Sequence, residues 1–170
     1  MNTDRGVPVL YLDLDGTVRK GYDELGKFVN GPSDVEVFPE AVERMKAWKA
    51  GGGRIVGVTN QGGIALGKVA ERDVQQALIV TQRQCKGLFD KIAYCSHHPD
   101  AEHPEMARCW CRKPAPGLLI DAAYGLAAQH PGEMYPPYMA LMVGDRPEDR
   151  ECARIASIDF QAAADWRAGA

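Results

Sequence analysis

The sequence predicts an α/β domain built on a mostly parallel sheet, and three features of the chain point to this class. Short apolar runs typical of buried strands alternate with longer segments that carry apolar residues at helical spacing. The predicted strands end in polar or charged residues, where parallel sheets collect ligand-binding groups. The length of 170 residues and the apolar content of 45 % suffice for one core. We therefore expect a single domain over residues 1–170, with three layers and helices on both faces of the sheet.

The first strand is predicted at the segment VLYL, which runs directly into Asp13 and Asp15. Burying carboxylates is costly unless a cation or hydrogen-bond donors compensate them, so a positive partner is expected beside this pair. The following residues, 19–39, are rich in glycine and turn formers and show no sustained period. We expect them to form a loop or short flap, with a β-ribbon as a further option.

The remaining elements follow in alternation. A helix is predicted at the segment PEAVERMKAWKAGG, because a proline opens it, glycines close it and apolar residues recur at helical spacing. The other predicted elements are strands at RIVGVTN, KIAYCS and YMALMVGD, and helices over 69–86, 116–129 and 147–156. Trp166 is expected to lie in a loose tail.

Composition argues against several classes of protein. A formal net charge of −3 is not typical of a surface that binds polyanions broadly, so nucleic acid is not an expected partner. No stretch approaches the roughly 20 apolar residues of a membrane span. The N-terminal segment shows no secretory signal, and a cytoplasmic location is therefore expected.

Several carboxylates converge at one edge of the predicted sheet. Asp13 and Asp15 follow the first strand, Asp145 ends the strand YMALMVGD, and Asp149 lies four residues further on. These charges would repel one another, and a hard divalent cation with oxygen ligands relieves the repulsion. The sequence therefore predicts a Mg²⁺ site here.

Two further residues offer groups for binding an anion. Thr59 ends the strand RIVGVTN, so that its hydroxyl and the backbone N–H groups after it could hold one. Lys113 stands just before a helix opened by proline, where a fixed cation could neutralise a phosphoryl group. Each signal is weak alone, since a Thr/Asn turn and a solvated lysine are ordinary explanations.

Taken together and in this order, DLDGT, the strand-terminal Thr59, Lys113 and GDRPED resemble the four signature motifs of the haloacid dehalogenase (HAD) superfamily of phosphohydrolases, over roughly residues 8–160. The resemblance implies a Rossmann-like fold. It also implies that Asp13 attacks phosphorus and forms an aspartyl-phosphate. Asp15 would protonate the leaving oxygen and later take a proton from water.

The resemblance also implies ligands for the metal ion and the phosphoryl group. Mg²⁺ would bind Asp13, the backbone carbonyl of Asp15 and Asp145, with Asp149 as a supporting ligand. The phosphoryl oxygens would be held by Thr59, Asn60 and Lys113.

A cysteine-rich loop, residues 95–111, precedes Lys113. Three of the five cysteines of the chain and one histidine form a C-x-H-x11-C-x-C pattern, made by Cys95, His97, Cys109 and Cys111. Thiolates and one imidazole at this spacing suit tetrahedral zinc, and four protein ligands make the site structural. Zinc would then staple a loop that has no core of its own. Three open alternatives are free thiols beside a surface histidine, His98 in place of His97, and His103 as a weaker candidate ligand.

The pattern and position of this loop resemble the zinc-bearing branch of the superfamily, subfamily IIIA, which includes heptose-bisphosphate and histidinol-phosphate phosphatases. Members of this branch have no large cap domain, and here too the gaps after the first two motifs are too short for one. The resemblance implies that loops select the substrate. Candidate substrate contacts are Arg19, Lys20, Tyr22, the segment GGIALG, the cysteine-rich loop, Asn60 and Arg112.

Two residues depart from the heptose-bisphosphate phosphatases. Leu14 stands where they usually have the arginine of DRDGT, and Leu66 stands where they have a basic residue after TNQ. A second substrate phosphate would need another cation, for which Arg19, Lys20, Lys68 and Arg112 are the candidates.

We therefore expect a Mg²⁺-dependent phosphatase with a structural zinc, acting as a monomer on a small phosphate ester such as a sugar phosphate or a heptose-bisphosphate-like compound. One alternative is a polynucleotide 3′-end phosphatase, which the acidic charge opposes because a strand-binding groove should be basic and aromatic. Another is a non-catalytic, zinc-stapled binding protein, which the intact Asp13 and Asp15 oppose.

Overall fold

Five parallel strands form the sheet of this protein, whose computed structural model describes residues 6–169. The strands are β1 (Val9–Leu12), β2 (Arg54–Asn60), β3 (Lys91–Cys95), β4 (Ala140–Gly144) and β5 (Asp159–Ala162). They lie in the order β3-β2-β1-β4-β5, so the switch in strand order falls between β1 and β4. Ligands bind beyond the carboxyl ends of the strands at such a switch. Residues 1–5 and 170, which the single-domain prediction also covered, lie outside the described residues.

Helices connect these strands. They are α1 (Tyr22–Leu25), α2 (Pro39–Ala50), α3 (Glu71–Gln84), α4 (Pro104–Ala107), α5 (Gly117–Gln129), α6 (Pro147–Ala156) and α7 (Ala163–Ala168), with short 3₁₀ helices at Pro32–Asp34 and Pro137–Met139. Proline opens α2 and α6, where its missing N–H costs nothing. Within residues 6–169, no helix is both long and apolar enough to cross a membrane.

Both faces of the sheet are covered, which makes the fold three-layered. Because side chains alternate along a strand, β1 sends Leu10 and Leu12 to one face and Val9 and Tyr11 to the other. The first pair joins a core with residues of α2, α3 and α7, and the second pair joins a core with residues of α5 and α6. The continuous apolar run VLYL is therefore what a strand buried on both faces requires. The predicted fold class, including the absence of a large cap domain, is confirmed.

Most predicted elements occur close to the expected positions. The strands predicted at RIVGVTN, KIAYCS and YMALMVGD correspond to β2, β3 and β4, and the segment predicted at 147–156 is α6. Residues 19–39 hold α1 and a 3₁₀ helix instead of a β-ribbon. Their two ends are joined by an antiparallel bridge between Arg19 and Val37, and the side chain of Gln84 on α3 hydrogen-bonds the backbone of Val35 and Val37.

The expectation of a loose tail around Trp166 is wrong. Trp166 lies on α7, is 2 % exposed and packs in the core beneath the sheet. Its neighbour Arg167 donates hydrogen bonds to the carbonyls of Gly16 (2.8 Å) and Thr17 (2.9 Å), and its guanidinium lies 4.2 Å from the centre of the Phe38 ring. The C-terminal helix therefore supports the turn that follows β1.

Candidate active site and cysteine cluster

Polar side chains from three neighbouring strands meet at the carboxyl edge of the sheet. Asp13 follows β1 directly, Thr59 lies near the end of β2, and Asp145 follows β4. β1 pairs with both β2 and β4, so these strand ends are adjacent. The backbone N–H of Asp13 donates to the carbonyl of Val143 (3.0 Å), which ties the end of β1 to β4. The structure thus brings these three predicted residues together at the switch point.

Lys113 is buried among these groups, with 3 % of its surface exposed. Its Nζ lies 2.6 Å from Oδ1 of Asp13 and 2.7 Å from Oδ1 of Asp149, and it donates to the carbonyl of Val58 (2.9 Å). The Asn60 side chain holds the Lys113 backbone by two hydrogen bonds of 3.0 Å, one to its carbonyl and one from its N–H. Asn60 therefore positions the lysine.

Asp13, Asp145 and Asp149 form a carboxylate cluster in which one oxygen from each residue lies within 4.8 Å of the others. Burial raises the pKa of Asp13 to about 7, although Lys113 acts to lower it, and burial also raises the pKa of Asp145 to about 6. The surrounding side chains therefore do not fully compensate these charges. A hard divalent cation such as Mg²⁺ prefers carboxylate oxygens and would supply the missing charge, so the residues fit it. Asp149 also accepts a hydrogen bond from the backbone N–H of Arg146 (3.1 Å), at the start of α6.

Asp15 lies beside this cluster and is held by two side chains. Arg19 Nε is 2.7 Å from Oδ1 of Asp15, and Arg19 Nη2 is 3.3 Å from Oδ2. Gln61 Nε2 donates to Oδ2 of Asp15 (3.0 Å) and to Oγ1 of Thr59 (2.9 Å). The sequence predicted a positive partner beside the carboxylate pair. Arg19 is that partner for Asp15, and Lys113 is that partner for Asp13.

Two of the predicted substrate contacts, Arg19 and Lys20, do not line either cavity of the site. Arg19 is 1 % exposed and lines neither cavity of the site, so its guanidinium is not placed to touch a substrate. Lys20 forms an ion pair with Glu36 and lines neither cavity. Gln61, which sequence analysis missed, is a buried member of the site. Its signal was its place two residues after Thr59, directly after the end of β2.

Two adjoining cavities open onto the carboxylates. One, of about 480 Å³, is lined by Asp13, Asp15, Thr59 and Lys113, and the other, of about 330 Å³, is lined by Asp15 but not by Asp13, Thr59 or Lys113. Both are lined by Asp15, Phe28, Asn60 and Arg112. The second is also lined by His98, Leu66 and Lys68. The two cavities together can therefore take a molecule longer than one phosphate group.

The predicted cysteine cluster is assembled in the structure from Cys95, His97, Cys109 and Cys111. Sγ of Cys95 lies 3.2 Å from Sγ of Cys111 and 3.6 Å from Sγ of Cys109. Nδ1 of His97 lies 3.5 Å from Sγ of Cys95 and 3.4 Å from Sγ of Cys111. The separations of 3.4, 3.5 and 3.6 Å are close to the roughly 3.5–3.8 Å between ligand atoms around tetrahedral zinc, whereas the Cys95–Cys111 separation is shorter. The four residues fit a closed metal site.

The structure also separates the histidine candidates. His97 points Nδ1 into the cluster, whereas Nδ1 of His98 accepts a hydrogen bond from the backbone N–H of Asp100 (3.1 Å) and the residue lines the second cavity. His103 is exposed, 3.8 Å from Glu105. The arrangement favours His97 as the ligand.

The cysteine cluster adjoins the candidate active site through backbone and side-chain contacts. The carbonyl of Cys95 accepts a hydrogen bond from the backbone N–H of Gln61 (2.7 Å). Arg112 donates from its backbone N–H to Sγ of Cys109 (3.3 Å) and from Nη1 to the carbonyl of His97 (3.0 Å). The cluster therefore fixes Arg112, next to Lys113.

Comparison with known proteins shows what the chain is similar to, although no family model matches it. It is 34 % identical to the D-glycero-β-D-manno-heptose-1,7-bisphosphate 7-phosphatase of Photorhabdus laumondii, covering 91 % of this chain and 78 % of that protein. Among solved structures, the D,D-heptose 1,7-bisphosphate phosphatase from B. bronchiseptica, complexed with magnesium and phosphate, has a TM-score of 0.73 at 25 % identity, covering 91 % and 79 % of the two chains. A HAD-like phosphatase from Mesorhizobium loti has a TM-score of 0.77 at 26 % identity, covering 90 % and 70 %.

Proposed function

The chain belongs to the heptose-1,7-bisphosphate 7-phosphatase family of the HAD superfamily and is a phosphatase, and we propose that it hydrolyses a heptose bisphosphate or a similar phosphorylated sugar with the help of Mg²⁺. The observation that carries this proposal is the position of Asp13. Its carboxylate lies at the end of the central strand, 2.6 Å from a buried lysine and within a cluster that fits a divalent cation. These groups support the proposal, because a carboxylate able to act as nucleophile, a fixed cation and a cluster that fits a metal ion lie around one point.

The proposed reaction has two steps. In the first, an oxygen of Asp13 attacks phosphorus, the bond from phosphorus to the leaving oxygen breaks, and Asp15 gives its proton to that oxygen. In the second, water attacks phosphorus, Asp15 takes a proton from it, and Asp13 is released as a carboxylate together with inorganic phosphate. Mg²⁺, held by Asp13, the carbonyl of Asp15 and Asp145 with support from Asp149, would neutralise charge on the phosphoryl oxygens.

The phosphoryl oxygens would be held by groups already in place at the site. Oγ1 of Thr59 accepts a hydrogen bond from Gln61, so its own proton is left to donate to a phosphoryl oxygen. Lys113 supplies a positive charge that Asn60 fixes through the backbone. Such preorganised donors and charges stabilise the transition state without reorganising during the reaction.

A second phosphate or another anionic group of the substrate would lie in the second cavity. Of the four candidate cations, Lys68 and Arg112 line this cavity, whereas Arg19 is buried and Lys20 is paired elsewhere. His98 lies in the same cavity. We therefore assign recognition of the distal group to Lys68 and Arg112.

The cysteine cluster is proposed to hold a structural Zn²⁺. Four protein ligands leave no open position for chemistry, and the ligand atoms already lie near tetrahedral separations. The metal would stabilise residues 95–111 and the position of Arg112.

The test is release of inorganic phosphate from heptose 1,7-bisphosphate, sugar monophosphates and a 3′-phosphorylated oligonucleotide, with and without Mg²⁺. We expect Mg²⁺-dependent turnover of the bisphosphate that Asp13→Asn abolishes and that Asp121→Asn, a change at an exposed aspartate of α5, leaves unaltered. Turnover that persists in Asp13→Asn would refute the proposed nucleophile. A preference for the oligonucleotide would refute the substrate class.

A further inference from the structure

The side chain of Arg19 is buried. Arginine is seldom fully buried in proteins unless its charge is paired. The turn after β1 places it there, because the backbone N–H of Gly16 donates to the carbonyl of Arg19 (2.8 Å) and the N–H of Arg19 donates to the carbonyl of Leu14 (2.9 Å). This tight turn therefore brings the side chain of Arg19 back beside Asp15, four residues earlier in the chain. The pair is set by local backbone geometry.

The far end of the guanidinium is anchored on another helix. Nη1 of Arg19 donates to Oγ1 of Thr81 on α3 (2.8 Å), and that hydroxyl in turn donates to the carbonyl of Ala77 (2.8 Å). Thr81 is itself completely buried. The planar fork of arginine is thus fixed at both ends, which a flexible point charge such as lysine would not reproduce.

The hydrogen bonds to Asp15 also distinguish its two oxygens. Oδ2 accepts from Arg19 and from Gln61, whereas Oδ1 accepts only from Arg19 among the described residues. A carboxylate oxygen has two acceptor sites, so Oδ2 is saturated and Oδ1 keeps one free. The side chain of Asp15 is 32 % exposed and lines both cavities, so the carboxyl group is open to a bound ester.

We propose that Arg19 is a positioning residue that fixes the carboxyl group of Asp15 so that Oδ1 is the atom which exchanges the proton with the leaving oxygen. This inference rests on the proposed function, since it assigns an atom to the proton transfer of that reaction. Arg19 does not touch the substrate. Its effect passes entirely through the orientation of Asp15.

If the proposal is correct, the loss of kcat/KM on replacing Arg19 depends on the leaving group of the ester. 4-Nitrophenyl phosphate releases a stable phenolate that needs little protonation, whereas benzyl phosphate, of similar size, releases an alkoxide that needs a proton. The ratio kcat/KM is the right quantity, because it reports the steps up to loss of the leaving group. With Mg²⁺ present, we expect Arg19→Met to lower kcat/KM about 100-fold for benzyl phosphate and less than about 5-fold for 4-nitrophenyl phosphate.

Further variants keep the test decisive if Arg19→Met unfolds. Arg19→Lys should lower kcat/KM less, with the same dependence on the leaving group. Thr81→Val removes only the hydroxyl that accepts from Arg19, and it should change kcat/KM for the two esters in the same direction as Arg19→Met. Arg154→Met, at an exposed arginine of α6, is the matched control and should resemble the wild type.

Equal losses for the two esters in the folded variants would mean that Arg19 has a structural role only, and would overturn the proposal. Unchanged kcat/KM for both esters would overturn it as well. Failure of the wild type to hydrolyse heptose 1,7-bisphosphate as well as both esters would refute the proposed function, and this outcome is distinguishable because no variant is involved.

Discussion

Gly144 ends β4 directly behind the carboxylate cluster, and replacing it with alanine should disable the site. A Cβ at this position would overlap the side chain of Asp149, whereas ordinary van der Waals contact begins at 3.4 Å. The side chain of Asp149 is buried and is held to Lys113, so it cannot move away without taking the lysine with it. Gly144→Ala therefore displaces both residues.

The size of the effect follows from this overlap. Relieving it requires Asp149 to shift by about 1 Å, and a misplacement of about 1 Å at an active site costs about 100-fold in rate. We expect kcat/KM for the best substrate to fall by that factor, which corresponds to about 2.7 kcal/mol of transition-state stabilisation. Overpacking should also lower stability by about 1–3 kcal/mol.

The assay compares Mg²⁺-dependent phosphate release and thermal unfolding of Gly144→Ala with those of Gly57→Ala. Gly57 lies inside β2, where a Cβ would meet Ile92 and Leu14 at 3.2 Å, so this variant tests the cost of an added methyl group in the sheet away from Asp149. We expect it to lose some stability and to keep its activity. A folded Gly144→Ala protein with wild-type kcat/KM would refute the reasoning, because Asp149 and Lys113 would then tolerate displacement.

Three further predictions concern the metal cluster, acid stability and the core. Cys111→Ser should abolish binding of one zinc per chain and lower Tm, measured by metal analysis and thermal unfolding; an unchanged zinc content would contradict the assigned ligands. Hydrogen bonds from Arg54 and Tyr135 lower the pKa of Glu133 to about 2, so the stability that its charge provides is complete above about pH 4.5 and is lost toward pH 2. The difference in Tm between wild type and Glu133→Gln should therefore shrink over that range, and a constant difference would refute the assignment. Trp166→Ala should cost about 3–5 kcal/mol in denaturant unfolding, whereas Trp110→Ala, at a half-exposed side chain, should cost far less; similar costs would contradict the core position of Trp166.

The sequence was sufficient to predict the elements that have a strong hydrophobic pattern and clear residues at their ends. The helix at 147–156 begins at a proline and ends where its apolar face ends, and β1 is an uninterrupted apolar run. β5 and α7 were missed because the segment Asp159–Ala162 is short and contains a single large apolar residue, Phe160. Its pairing with β4 is a long-range interaction that no local pattern records.

The candidate site also contains some residues that local sequence patterns predict and others that only long-range contacts place. The carboxylates and the C-x-H-x11-C-x-C cluster could be predicted because each type of chemistry needs particular residues at particular spacings. The burial of Arg19 could not, because its anchor Thr81 is far away in sequence and an arginine in a glycine-rich loop is ordinarily solvated. The general expectation of a cation beside Asp15 was correct, and only the identity of that cation required the structure.

The central position of β1 sets the order in which this enzyme can become active during synthesis. β1 is made first, yet it pairs with β4, which is among the last strands to leave the ribosome. Closing so long a loop is slow, and the nascent chain holds Asp13 for most of translation without Asp145 beside it. We therefore expect a chain that ends before β4 to lack Mg²⁺-dependent phosphatase activity, because it contains neither Asp145 nor Asp149.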